Sequence, residues 1–133
     1  LNDFSNFSWG INDNYKSVNS IALASEIFNN FKIIGLYDND IPRFDLFGIF
    51  LTLDHSDKPR KILNFALNNS KHVLVHCHID EEINKQHLFS FTKKFINYLN
   101  KSGIFTKDIT NHIVENKYSE MYFLCSRKIS YKF

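Results

Sequence analysis

Glycine is scarce: the chain has four in 133 residues, and none stands in a G-x-G arrangement. A backbone that closes tightly around a phosphate needs residues without a Cβ, so these residues contain no glycine-rich nucleotide loop. Only two prolines occur, with no Pro/Gly/Ser linker and no repeat, so no internal domain boundary is visible and residues 1–133 read as a single domain. Cysteine is limited to Cys77 and Cys125, each inside an apolar run. Two such residues point to free buried thiols in a reducing compartment, not to a disulfide framework. No apolar stretch approaches the roughly 20 residues of a membrane helix, and the start "LNDFSN" lacks the pattern of a signal peptide. The expected location is cytoplasmic, with no membrane partner. A formal net charge of +2, with scattered lysines, gives no nucleic-acid surface either.

What is present is a core. Apolar residues make up 44% of the chain and aromatics 16%, enough hydrophobic surface for a folded domain. Residues 7–11 read as a strand, and Asn12, Asp13 and Asn14 as caps for a helix carrying Val18, Ile21, Ala22, Ile27 and Phe28 on one face. "FKIIGLYD" and "FDLFGIFLTL" follow as strands, the second apolar almost without alternation, as in a parallel sheet covered on both faces. "KPRKILNFALNN" predicts a helix with Pro59 in its first turn and Asp57 near its positive end. "KHVLVHCHI" predicts another strand. Gln86 to Ser102 reads as the strongest helix, stopped by Gly103. "DITNHIVE" and "EMYFLCSRKI", joined by "NKYS", read as a closing antiparallel hairpin. This alternation predicts an α/β fold with a mostly parallel sheet and helices on both faces. In such sheets ligands sit beyond the carboxyl ends of the strands, where Asp54 and His55 follow "FDLFGIFLTL".

The order and spacing of these segments resemble the later part of a class I S-adenosylmethionine-dependent methyltransferase of the small-molecule type. "FDLFGIFLTLDH" is similar to that family's fourth strand, which runs into an acid-histidine pair. "WGIN" with "DNYKSVNSIALASEIF" resembles the second strand and its helix, "IIGLYDND" the third strand and adenine loop, and "HVLVHCHID" the fifth strand. "KQHLFSFTKKFINYLNKSGI" resembles the segment before the terminal hairpin. The resemblance implies a Rossmann-like sheet that is N-terminally incomplete, because the first strand and its glycine loop have no counterpart. The start at Leu1 fits a piece of something longer. The resemblance further implies S-adenosylmethionine as cofactor and a small molecule or sugar unit as acceptor. Asn12, Asp13 and Asp38 would hold ribose and adenine, Ile49 and Phe50 would flank the cofactor, and Asp54 and His55 would be the catalytic pair. His78 and His87 would border the acceptor, with no metal involved. The unfilled sheet position invites pairing of two copies.

Other readings of the same residues stand beside this one. Asp54 also suits a helix cap, and His87 a plain helix start. His76 and His78 share one face of a strand, opposite Cys77, and with His87 they offer three nitrogen ligands for zinc or a related metal. The other reading of this H-x-H pattern is a set of core-edge, surface or pocket histidines. A non-catalytic α/β interaction module is a further alternative to an enzyme.

Overall fold

The structure, a computed structural model, describes residues 9–11, 31–33, 41–80, 82–113 and 119–127. The chain divides into two compact units, Leu1–Ile41 and Pro42–Phe133.

In the first unit, β1 (Trp9–Ile11) pairs in parallel with β2 (Phe31–Ile33), Gly10 opposite Lys32. A parallel pair needs a long crossover, and the stretch between the two strands is long enough to make one.

The second unit is built on a four-stranded mixed sheet. Its strands are β3 (Phe44–Phe50), β4 (Ser70–His78), β5 (Phe105–Asp108) and β6 (Glu120–Ser126), in the spatial order β3-β4-β6-β5. β3 and β4 are parallel, and β6 runs antiparallel to both its neighbours. Its helices among the described residues are α1 (Pro59–Asn69), α2 (Lys94–Lys101) and the single turn α3 (Thr110–Ile113).

α1 forms where Pro59 presets the first turn, and it buries Ile62, Leu63, Ala66 and Leu67 along one side. It ends by local satisfaction of its free carbonyls: Asn69 Nδ2 donates to Phe65 O at 2.8 Å and Ser70 Oγ to Ala66 O at 2.7 Å. The chain turns directly into β4. There Val73, Val75 and Cys77 are fully buried, alternating with half-buried His72, Leu74, His76 and His78. Facing strand β6 repeats the alternation with Met121, Phe123 and Cys125 inside. Phe65 of α1 meets Phe47 edge-on, and Phe95 of α2 meets Phe123 the same way, so both helices cover the face that carries Val73 and Val75.

Several expectations need correction. β3 is not covered on both faces: it forms one edge of this sheet among the described residues, only Ile49 is buried, and Leu46 and Phe50 are more than half exposed. The ring contacts place α1 and α2 on the same face of this sheet, and the helix expected after Asn12 lies outside the described residues. The helix expected from Gln86 begins only at Lys94, because side-chain and backbone bonds to residues 84–91 hold that stretch as a loop. Gly103 does end α2, with a left-handed φ of 83° and its N–H bonded to Asn100 O. The closing hairpin is antiparallel as expected, but its first strand is Phe105–Asp108, and "TNHI" is helical. Asp108 explains the switch: its Oδ1 accepts from both the N–H and the hydroxyl of Thr110, a local bond that starts a turn in place of a strand.

Both cysteines are buried and neither forms a disulfide, as their apolar surroundings predict. Burial pushes each thiol up to about 12, and the Asp54 carboxylate adds to the effect at Cys77. The unfolded chain releases these protons near pH 8.5, so the folded state binds more protons between there and about pH 12 and loses stability as pH rises through that window. Urea midpoints should therefore fall on going from about pH 8 to about pH 10, and fall less in a Cys77→Ala/Cys125→Ala double variant. Rapid labelling of both thiols in the folded chain near pH 8 would contradict this packing.

Candidate functional site

The site begins where β3 ends. Leu51 takes a left-handed φ of 47° and donates its N–H to His76 O at 2.8 Å, so the chain stays fastened to β4 as it leaves the sheet. Thr52 Oγ1 donates back to Phe50 O, and His55 N to Thr52 O, which tightens the turn. Leu53 is the buried anchor of this turn, and Asp54 follows it inward with 1% of its surface exposed. Asp54 therefore does not cap α1. That helix has Lys58 at its N-cap with no side-chain bond, while Ser56 Oγ accepts from Lys58 N.

The Asp54 carboxylate instead collects histidines. Its Oδ2 lies 2.8 Å from His78 Nδ1 at the carboxyl end of β4, 3.6 Å from His55 Nε2 and 3.9 Å from His87 Nε2. A carboxylate oxygen only accepts, so the 2.8 Å contact puts the His78 proton on Nδ1 and leaves Nε2 with a lone pair in the neutral ring. The ring centroids of His55 and His87 are 4.5 Å apart, and His78 stands 5.4 Å from His87. One donor atom from each of Asp54, His55, His78 and His87 lies within 4.8 Å of the others. Asp54 Oδ1 is buried with no hydrogen-bond partner. An unsatisfied carboxylate oxygen away from water is unfavourable, so the site holds a strong unmet demand for a cation or a proton donor.

His87 arrives from a loop. Asn84 Oδ1 accepts from the N–H groups of Gln86 at 2.7 Å and His87 at 2.9 Å, a side-chain-closed turn that replaces the first turns of the expected helix. Beyond it, Leu88 N donates to the Asp54 carbonyl at 2.8 Å, and Asp80 N to Phe91 O at 2.8 Å. Asp54 thus binds the loop through its backbone carbonyl, and the loop brings His87 Nε2 to 3.9 Å from its carboxylate. Asn84 was missing from the sequence-level candidates, although an Asn two and three residues before Gln86 and His87 is the signal of such a turn.

Four residues named from the sequence are thus brought together: Asp54 and His55, expected as a catalytic pair, and His78 and His87, expected at the acceptor. His76 lies elsewhere. It shares a face with His78, yet its ring stacks on Tyr122 across the β4–β6 ladder, 4.1 Å between centroids, and its Nε2 stands 3.5 Å from Glu120 Oε1 without a hydrogen bond. The metal-ligand set read as His76, His78 and His87 is replaced by one with Asp54 and His55 in place of His76. Ile49 points into the core, and Phe50 is 58% exposed at the end of β3. Its ring folds back over Gly48, where a Cβ would come within 2.5 Å of it. Asn12, Asp13 and Asp38 lie outside the described residues. Among the described residues no helix is long and apolar enough to cross a membrane. A scan against protein-family models and a search of curated proteins found no match to this chain.

Asn84→Ala should release the loop and leave the sheet intact. Hydrogen exchange at Gln86 and His87 should quicken about fivefold, the effect of losing one ordinary hydrogen bond each. Unchanged exchange at both would mean that the contacts to Asp54 alone hold His87.

Proposed function

We propose that the chain carries the acceptor side of a Rossmann-like, S-adenosylmethionine-dependent methyltransferase for a small molecule or sugar unit. One observation carries the reading: an acid-histidine pair sits just beyond the carboxyl ends of two adjacent parallel strands, with a second strand's histidine bonded to the same acid. Ligand clefts of α/β sheets form at that edge. The order of segments and the antiparallel strand that closes the sheet also support it.

S-adenosylmethionine, when bound, supplies an electrophilic methyl group on its sulfonium. Transfer demands chiefly that the acceptor atom be held in line with that methyl, so positioning is the larger task. The exposed Phe50 ring offers an apolar wall at the strand end. Asp38 would take the adenine amino group, Asn12 and Asp13 the ribose hydroxyls, and the backbone around Ile49 and Phe50 would flank the cofactor. His55, with its side chain 38% exposed, can hold the acceptor and accept its proton as the methyl bond forms. His78 and His87 would orient it, the first held by its bond to buried Asp54 and the second by the Asn84 turn.

The glycine-rich loop that this reading requires is not in these residues, so binding through adenine and ribose alone is expected to be weak. Ligand-observed NMR with S-adenosylhomocysteine should show saturation transfer to its adenine protons, lost in Asp38→Ala. No transfer at millimolar ligand would overturn the cofactor reading. Pairing of two copies through the unfilled sheet position belongs to the same proposal. Sedimentation should then show a dimer, and a strictly monomeric species at high concentration would count against it.

A further inference from the structure

The cluster around Asp54 holds more imidazole than proton transfer needs. Only His78 is within hydrogen-bond distance of Asp54 Oδ2, yet Nε2 of His55 and of His87 also stand within 4 Å of that oxygen, at 3.6 and 3.9 Å. Three ring nitrogens gathered around one carboxylate oxygen are a ligand set. We propose that Asp54, His55, His78 and His87 bind one divalent transition-metal ion of the zinc class.

The spacing suits it. Four ligands at ~2.0–2.1 Å from a tetrahedral zinc ion stand about 3.3 Å apart. The 2.8, 3.6 and 3.9 Å distances from Asp54 Oδ2 to the three imidazole nitrogens bracket that value. The remaining separations reach at most 4.8 Å, and they involve histidines on a turn and a loop that can close inward. The donor chemistry selects the metal: three nitrogens and one carboxylate fit zinc, cobalt or nickel, whereas magnesium and calcium take oxygen ligands. The buried, partnerless Asp54 Oδ1 is an independent sign, because a cation beside this carboxylate offsets the unfavourable burial. Where His78 Nδ1 is the ligand, its proton, now shared with Asp54, leaves to solvent as the metal enters. The three histidines keep 18 to 38% of their side-chain surface exposed, so the ion would face solvent on one side. An acceptor oxygen could approach there. The ion would use the same four side chains that the methyl-transfer reading gives to the acceptor, and would then hold the acceptor in place of His55, but its binding does not depend on S-adenosylmethionine.

The test is equilibrium dialysis of the chelator-stripped chain against zinc chloride, with cobalt chloride as a spectroscopic probe. The expected result is one equivalent of zinc, and cobalt bands of tetrahedral intensity. His87→Ala and Asp54→Asn should each weaken zinc binding at least tenfold. His55→Ala, on the exposed turn, gives a third ligand variant that leaves the core untouched if Asp54→Asn fails to fold. His76→Ala, next to the cluster but outside it, should bind as the parent does. Less than half an equivalent of zinc, or binding unchanged in both His55→Ala and His87→Ala, would overturn the assignment. So would a tenfold loss in His76→Ala with none in His55→Ala.

Discussion

One buried carboxylate organises the end of the sheet where β3 and β4 finish. Asp54 is almost wholly withdrawn from water, and its atoms bond both the adjacent strand and the loop that follows it. Its Oδ2 draws His78 from the end of β4, and its carbonyl takes the N–H of Leu88. A charged group in that position is tolerated only with partners, so the fold must deliver partners from both the adjacent strand and the distant loop. Parallel pairing of β3 and β4 meets the first need by ending both strands on the same side. The loop meets the second because it gives up helical bonds for bonds to Asp54.

The helix-to-loop exchange shows how closely local chemistry and site geometry are tied. Residues 86–93 have the apolar spacing of a helix, but the His87 and Phe91 carbonyls that a helix would offer to residues 91 and 95 accept instead from Asn84 N and Asp80 N, while Leu88 N and Phe89 N turn to the Asp54 carbonyl. As the chain stands, the Asn84 turn orients His87 and the carbonyl contact sets how near it approaches. Asp108 does the same at the far side of the sheet, where its bonds to Thr110 convert an apolar run into a turn before β6. In both places one short polar side chain overrides the hydrophobic period.

This is also the boundary of what the sequence makes legible. β4, β6 and α1 follow from their apolar patterns, and Gly103 from the need for a left-handed residue after α2. The pairing of Asp54 with His55 at a strand end, and the interest of His78 and His87, are visible because strand ends place residues predictably. That His76 would be excluded is not visible: period two puts it on the face of His78, and only the cross-strand Tyr122 ring explains why it turns toward β6. Nor is the exposure of β3, since a continuous apolar run reads alike in a covered strand and at an edge.

The site is made at the expense of stability. Asp54 Oδ1 has no partner, Leu51 and Asp80 occupy left-handed conformations on either side of the cluster, and three imidazoles crowd one carboxylate. An apolar residue of similar volume at position 54 would remove the unsatisfied oxygen from a buried position. These unfavourable features gather at one strand end, while the rest of the sheet alternates buried and half-buried residues regularly, which is what makes that end the candidate site. The chemistry of the four side chains then limits the choice. They can hold an ion or move a proton, and in either role the buried acid would set the orientation while the exposed histidine edges would meet the ligand.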